Sequence, residues 1–443
     1  MPQVSNLKFS RRCMIERIRV RSKPSQMRFS VRMNPQRHSI FLPILVLASV
    51  FTTDASVFER GRDPEVSAIV TSFLDHDLQD PTNAYDILTG WKKAVDELSS
   101  LGVNEITFAV FRNVKNGSLV GGTATQTVAT AVKYAIDKGL SVTILPIFET
   151  ESGWRGNYDP AGEERSRFRA DYEQWIKELS SIAGIDRFNI GSELSRMVKS
   201  PENMPFFVNL IRVVKRSFSA AGNRSGRIGY AANFDAYSSE QHRRLFTQPG
   251  IDFLGVSAYR RLVEPADASL VSSTDQVPDR VFDRLVTKWN RELNQISQFA
   301  RSVNLPVVIQ EFGATQKNYT AVAPSSTSPG DFVDSSQPDR FVADPLEQRA
   351  CFESLITALD GRGNEIESVV FWTWEHQASR GRRTHEALKQ NDDQTKGDTE
   401  HFAIWPSDGG GGQFLAEFLA TGRRPGSSLR IVNPFFNSDD ESD

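Results

Sequence analysis

Cysteine is scarce in this sequence, which has two among its 443 residues. One of them, Cys13, lies in a basic leader that we expect to be removed, so the mature chain keeps only Cys351 and cannot form an internal disulfide. Stability must then come from a large hydrophobic core instead of cross-links. Hydrophobic residues make up 39% of the chain and charged residues 24%, which is typical of a soluble globular protein with such a core.

The N-terminal segment, residues 1–55, is poor in acids and has no apolar run long enough to span a membrane. It holds ten Lys or Arg against two acids, and its stretch IFLPILVLASVF, residues 40–51, has the length of the apolar region of a signal peptide. The residues TDA before Ser56 offer a cleavage site. We therefore predict a signal peptide and export to the periplasm or the extracellular medium, with an uncleaved membrane anchor as the alternative.

Positive charge is not in excess once this leader is set aside. Residues 56–443 hold 42 basic and 53 acidic side chains, a net charge near −11. A chain with this charge repels nucleic acid, which is therefore excluded as a partner. The last segment, residues 426–443, is predicted to be an acidic C-terminal tail.

Signatures of cofactor and metal sites are missing as well. No GxGxxG motif follows the first predicted strand, which argues against a dinucleotide-binding fold. The histidines have neither HExxH nor paired-ligand spacing. The sequence therefore predicts no cofactor and no metal ion.

Short apolar or β-branched runs alternate with longer helical stretches from Val66 onward, a pattern typical of parallel α/β folds. It predicts a single (β/α)8 TIM barrel over residues 56–425, with a doubly wound sheet as the weaker alternative. The eight predicted strands are residues 66–74, 105–112, 141–149, 186–193, 227–234, 251–259, 305–313 and 367–374.

Two glutamates end apolar strands on the side where a TIM barrel carries its active site. Glu193 ends the fourth predicted strand and Glu311 the seventh, from opposite sides of the ring. Two facing carboxyl groups can cleave a glycosidic bond, because one protonates the departing sugar oxygen while the other stabilises or attacks the anomeric carbon. We predict that both are catalytic and that the substrate is an oligo- or polysaccharide.

Other residues near the strand ends are candidates for binding this substrate. Hydrogen bonds from Tyr259 or the charge of Arg112 would keep the attacking carboxylate ionised. Trp374 and Trp154 would supply flat apolar faces for a sugar ring. Asn233, after the fifth strand, either lines a sugar subsite or is a solvated loop residue.

Four short strings carry a resemblance to a known group of enzymes. IGSEL and IQEFG end strands four and seven, VSAY follows strand six, and FWTW ends strand eight. Together they resemble the retaining glycoside hydrolases of clan A, and most of all family 113 and the glycoside-hydrolase-like barrel domain of gene transfer agents. The resemblance covers nearly all of residues 66–424 as an order of motifs and is specific at these four strings.

This resemblance implies a role for each matching residue. In the clan the glutamate of strand four is the acid/base and that of strand seven the nucleophile, which correspond to Glu193 and Glu311. Arg112 matches an arginine often found after strand two, and Tyr259 matches the residue that hydrogen-bonds to the nucleophile. Most clan members have Asn before the acid/base, but this chain has Ser192 and family 113 also lacks that Asn, so recognition of the sugar 2-hydroxyl stays open.

The resemblance further implies activity like that of an endo-β-mannanase, with retention of the anomeric configuration and carboxyl groups about 5–5.5 Å apart. Other β-linked glycans stay open as substrates. The alternative, from another functional class, is a non-catalytic carbohydrate-binding or cell-wall-associated barrel, because a fold does not fix a function.

Overall fold

The computed structural model describes residues 65–70, 83–151, 153–235, 239–271, 277–326, 329–333, 344–374, 402, 404 and 407–421. The predicted leader, residues 1–55, and the predicted acidic tail, residues 426–443, lie outside the described residues. Among the helices of these ranges, none has the length and hydropathy that a membrane crossing requires.

A closed barrel of eight parallel strands forms the centre of the fold. Strand β1 (Glu65–Val70) pairs with β2 (Glu105–Lys115) on one side and with β9 (Ile366–Trp374) on the other, which closes the ring. The short β3 (Ser118–Val120) pairs antiparallel with β2 outside the ring. The predicted (β/α)8 TIM barrel is confirmed. The strands are β1 (Glu65–Val70), β2 (Glu105–Lys115), β3 (Ser118–Val120), β4 (Ser141–Thr150), β5 (Arg187–Ser192), β6 (Arg227–Asn233), β7 (Phe253–Ser257), β8 (Val307–Phe312) and β9 (Ile366–Trp374).

Helices cover the outside of this barrel and bury one apolar face against it. The longest helix, α7 (Asp279–Val303), illustrates this packing. It buries Leu285, Trp289, Leu293 and Ile296, whose spacing of three and four residues places them on one face. The helices are α1 (Asn83–Ser100), α2 (Thr125–Asp137), α3 (Gly162–Ser180), α4 (Ser195–Lys199), α5 (Met204–Ala221), α6 (Glu240–Phe246), α7 (Asp279–Val303), α8 (Pro345–Leu359) and α9 (Gly411–Thr421).

The barrel interior holds its own apolar cluster, separate from the layer between strands and helices. Ala109, Ile147, Ala231 and Val308 belong to it and come from four different strands. Parallel strands alternate between the two faces, so their neighbours in sequence pack against the helices instead. A side chain in this inner cluster therefore faces the barrel axis, and one in the outer cluster does not.

Buried ion pairs occupy the N-terminal ends of the strands, opposite to the end that carries the two glutamates of interest. Arg187 pairs with Glu105 and lies 3.3 Å from Glu367, and the Thr143 hydroxyl donates to Glu105 at 2.7 Å. Because Arg187 and Glu105 are nearly inaccessible to water, removing one of them leaves an uncompensated charge in the barrel.

Glu105→Gln is therefore expected to lower the free energy of unfolding by about 3 kcal/mol, because Arg187 loses its closest carboxylate. Urea unfolding at pH 7 measures this change. Asp137→Asn is the control, since the Lys133–Asp137 pair has side chains that are 76% and 59% exposed. Its cost should stay below about 1 kcal/mol, and equal costs for the two variants would contradict the prediction.

Candidate active site

Glu193 and Glu311 lie at the C-terminal ends of β5 and β8 and are both buried, with exposed fractions of 5% and 4%. Each strand has a register shift just before its glutamate. In β5 the shift falls between Asn189 and Ser192, and in β8, relative to β7, it falls between Ile309 and Glu311. Such bulges re-aim side chains next to active sites. The shifts explain how two glutamates from different strands turn toward one another.

The backbone of Glu193 takes an uncommon conformation. Its φ angle is +58°, in the left-handed region that residues with a Cβ rarely adopt. The strand holds it there, because the Glu193 N–H donates to the Ala231 carbonyl at 2.7 Å and the Glu193 carbonyl accepts from the Ser195 N–H at 2.8 Å. Strain of this kind is concentrated at functional sites. It supports a functional role for the Glu193 side chain.

Two donors from the loop after β4 bind the Glu193 carboxylate. The Trp154 indole N–H donates to Oε2 at 2.9 Å, and Nη2 of Arg155 lies 3.0 Å from the same oxygen. The Arg155 side chain is 9% exposed and also lies 3.4 Å from Glu149. Sequence reasoning missed Arg155, because it lies five residues beyond the end of β4, in a loop whose path leaves no periodic signal.

Glu311 has a different environment. The Tyr259 hydroxyl hydrogen-bonds to it, and its Oε2 has no hydrogen-bond partner in the part of the chain that the structure describes. Burial, and then the negative charge of Glu193, raise the pKa of Glu311 to about 8, although Arg155 and Tyr259 act in the opposite direction. Near neutral pH Glu311 therefore holds a proton, beside the carboxyl group of Glu193.

Arg155 places a positive charge beside the two glutamates. Burial opposes that charge, but Glu193, Glu149 and Glu311 outweigh it and raise the pKa of the Arg155 guanidinium. One cation thus faces three carboxyl groups, two of which are buried beside it. This surplus of negative charge suits a reaction whose transition state carries positive charge on a sugar carbon.

The prediction that Arg112 belongs to this site is wrong. In β2 the neighbouring Phe111 packs on the inner cluster, whereas Arg112 lies over the Trp175 ring of α3, 5.8 Å from its centroid. Arg112 therefore points away from the barrel axis, into the layer of helices. The alternation of faces along a strand sends it there, and the arginine beside the glutamates is Arg155.

The prediction that Trp374 stacks on a sugar is also wrong. Trp374 is fully buried in the outer layer, where its indole N–H donates to Glu97 of α1 at 3.1 Å. Trp372 of the same FWTW string belongs to the inner cluster, beside Phe111 and Tyr259. The alternation of faces is therefore broken between Trp372 and Trp374. Spacing alone would place both tryptophans on one face.

Gly313 of the IQEFG string allows Trp372 to take this place. A Cβ at Gly313 would lie 2.8 Å from the Trp372 carbonyl oxygen, closer than such atoms approach. This glycine is therefore required for packing between β8 and β9, next to Glu311.

The remaining predicted binding residues lie near the glutamates. Trp154 is 43% exposed and bonds to Glu193. Ser192 is buried, and its hydroxyl has no hydrogen-bond partner among the described residues. Asn233 ends β6 in register with Ser257 of β7, two residues beyond Ala231 of the inner cluster. Their contacts with a substrate stay predictions.

The sequence model of glycoside hydrolase family 113 matches residues 119–396, more than half of the chain. The chain belongs to glycoside hydrolase family 113. The predicted resemblance to clan A and to this family is confirmed, and family membership makes the chain a glycoside hydrolase with a carbohydrate substrate. No curated protein sequence matches the chain.

Solved structures of β-mannanases, two of them from family 113, share the fold of this chain. A family 113 β-1,4-mannanase in complex form matches with a TM-score of 0.55 and 12% identity over 82% of this chain and 100% of its own. The family 113 β-mannanase AaManA from Alicyclobacillus acidocaldarius, in complex with ManMIm, matches with a TM-score of 0.54 and 13% identity. The match covers 81% of this chain and 97% of AaManA. An endo-1,4-β-D-mannanase from Thermotoga petrophila RKU-1 matches with a TM-score of 0.50 and 10% identity. The match covers 81% of this chain and 99% of the mannanase.

The chemical groups of the site are those of acid–base and nucleophilic catalysis. Within the described ranges, no three His, Cys, Asp or Glu residues are grouped as they would be to hold a metal ion. The groups present are two buried carboxyls, a third carboxyl at the rim, a guanidinium, a phenol and an indole. These suffice for proton transfer and for nucleophilic attack on a sugar.

Proposed function

We propose that this chain is a retaining β-glycoside hydrolase that cleaves β-mannan, with Glu193 as the acid/base and Glu311 as the nucleophile. The observation that carries the proposal is the meeting of two buried carboxyls, from β5 and β8, at the C-terminal end of the barrel. They lie close enough for the charge of Glu193 to act on the pKa of Glu311, and both interact with Arg155. We expect their separation to be about 5–5.5 Å when a glycan is bound.

The first half of the reaction forms a covalent glycosyl-enzyme. A Glu311 carboxylate oxygen attacks the anomeric carbon from one face while the glycosidic C–O bond breaks on the other. Glu193 gives its proton to the departing oxygen, so that the leaving sugar departs as a neutral alcohol. Tyr259, through its hydrogen bond to Glu311, stabilises the nucleophile as an anion.

The second half reverses these roles. Glu193, now ionised, takes a proton from a water molecule whose oxygen attacks the same carbon. The bond between that carbon and Glu311 breaks, which returns Glu311 to the carboxylate form and Glu193 to the acid form. Because each half inverts the carbon, the product keeps the β configuration.

The family and its structural relatives support β-mannan as the substrate, since the relatives above carry the name β-mannanase. Trp154 supports binding of a sugar ring. Its indole is partly exposed and is held next to the acid/base, where a ring can stack on its face. Trp372 and Phe111 supply further aromatic surface inside the mouth.

We also propose that the protein is exported. The basic leader, the apolar stretch of residues 40–51 and the small residues before Ser56 support this location. An extracellular or periplasmic enzyme meets polysaccharides that do not enter the cytoplasm. Fractionation of cells that produce the full chain, with N-terminal sequencing of the exported form, tests this part of the proposal.

Assay of the purified protein on β-1,4-mannan, β-glucan, xylan and peptidoglycan tests the enzymatic proposal. We expect reducing ends to be released fastest from mannan, and proton NMR to detect the β anomer as the first product. An α anomer formed first would overturn the retaining mechanism. Binding to mannan without hydrolysis of any glycan would instead support the non-catalytic carbohydrate-binding barrel.

A further inference from the structure

Two donors converge on a single oxygen of the proposed acid/base. The Trp154 indole N–H and the Arg155 guanidinium both reach Oε2 of Glu193, at 2.9 and 3.0 Å. An oxygen that accepts two N–H donors keeps its lone pairs engaged and cannot also carry a proton. Any proton on Glu193 must therefore be on Oε1. The loop after β4 thus decides which oxygen of Glu193 can act as the acid.

Arg155 is built into this position by several contacts. Its Nε lies 3.3 Å from the Ser192 carbonyl oxygen, and its Nη1 lies 3.4 Å from Glu149. It begins a short 3-10 helix, Arg155–Asn157, whose middle residue, Gly156, packs too closely on a neighbouring ring to carry a side chain. A Cβ on Gly156 would lie 2.2 Å from the Trp154 ring, so the indole rests directly on this glycine.

The positive charge of Arg155 interacts more strongly with one of the two carboxyl groups than with the other. It contacts Glu193 directly, whereas Glu311 receives only its longer-range field. A negative charge is therefore stabilised more at the position of Glu193 than at that of Glu311. The titratable and charged groups that act on the pair or on Arg155 are Glu149 of β4, Tyr259 after β7, Tyr172 of α3 and Tyr230 of β6.

The double-displacement reaction needs the opposite distribution, with the proton on Glu193 and Glu311 ionised. We propose that Arg155 is a positioning residue that holds Glu193 by Oε2 and whose charge acts on the protonation of the neighbouring Glu311. The resting protein then holds the proton on the nucleophile. It must pass to Oε1 of Glu193 when the glycan occupies the cleft. The catalytic consequence rests on the proposed function.

The pH dependence of kcat/KM in Arg155→Gln tests this inference. Arg155→Gln removes a cation 3.0 Å from Glu193, and a nearby cation favours ionised carboxylates, so both limbs of the profile should move to higher pH by about one unit. Because Arg155 contacts a carboxyl, kcat should fall more than KM rises. Arg155→Lys keeps the charge, so its profile should stay in place although kcat falls.

Arg112→Gln is the matched control, since Arg112 faces the helices and should leave the profile unchanged. If Arg155→Gln does not fold, Trp154→Phe replaces it, because this exposed residue gives the second donor to Oε2. Trp154→Phe should move the profile in the same direction by a smaller amount. A profile of Arg155→Gln that superposes on that of the parent would overturn the inference. If Arg155→Gln does not fold, a superposing profile of Trp154→Phe would do so instead.

A second measurement needs no turnover and so separates this inference from the proposed function. The difference in unfolding free energy between a protein and its Glu311→Gln derivative, followed against pH, reports the proton on Glu311. In the Arg155→Gln background the upper end of this transition should move to higher pH. If the parent hydrolyses no glycan but this shift occurs, the proposed function fails and the role of Arg155 stands. No shift would refute that role.

Discussion

Glu311→Ala is expected to lower kcat on β-mannan by about 10⁵-fold, because no other group in the site can form the glycosyl-enzyme bond. Steady-state release of reducing ends measures the loss. Sodium azide should partly restore activity with an aryl β-mannoside, since a small anion fits the space of the lost carboxylate. The restored product should be the α-mannosyl azide, which arises from a single inversion.

Glu193→Ala provides the contrast within the same experiment. Loss of the acid should cost about 10²- to 10⁴-fold on mannan, but much less for formation of the glycosyl-enzyme from an aryl mannoside whose phenol needs no protonation. Glu151→Ala is the control: this glutamate lies at the same rim but its side chain is 67% exposed, with Lys115 as its partner. If Glu311→Ala loses no more activity than Glu151→Ala, the assignment of the nucleophile fails.

Glu311→Gln is expected to stabilise the protein, and to do so more strongly as the pH rises. The folded protein holds a proton on Glu311 up to a pH of about 8, whereas an unfolded glutamate loses it near 4.5. Between these values the folded state binds more protons, so the parent loses stability as the pH rises through this window. The amide has no proton to lose, and its advantage should grow from near zero at pH 4 to about 2–4 kcal/mol at pH 8.

Urea unfolding of both proteins at several pH values from 4 to 8.5 measures this gap. Glu151→Gln serves as the control, because its exposed side chain should give a gap that does not change with pH. A gap for Glu311→Gln that is constant across the range, or that shrinks as the pH rises, would contradict the protonation state derived for the pair.

The positions of the strands were predictable, because a buried parallel strand appears as an apolar run between helical stretches. The fourth predicted strand, residues 186–193, and the seventh, residues 305–313, agree with β5 and β8 to within two residues at each end. The short β3 was missed, since three residues give too little pattern to recognise. The two glutamates were found by the same reasoning, because a TIM barrel carries its chemistry at the C-terminal strand ends.

Two partners of those glutamates, Tyr259 and Trp154, were among the predicted residues, but others were not predictable from position in the chain. Arg112 and Trp374 lie at strand ends, as the clan pattern suggests, yet both face the helices. Arg155 lies beside the glutamates, where Arg112 was predicted to lie, and Trp372 lies in the inner cluster, where Trp374 was predicted to lie. Register shifts and loop paths decide such exchanges, and neither leaves a periodic signal in the sequence.

The sequence by itself determined the barrel, the family strings and the two carboxyls, because these follow from local periodicity and from short contiguous motifs. Only the tertiary structure decided which cation stands beside the acid/base, which aromatic side chains line the mouth and whether Glu311 holds a proton. Those properties depend on distances between residues far apart in the chain and on the exclusion of water around them. Burial and proximity exist only once the eight strands have closed.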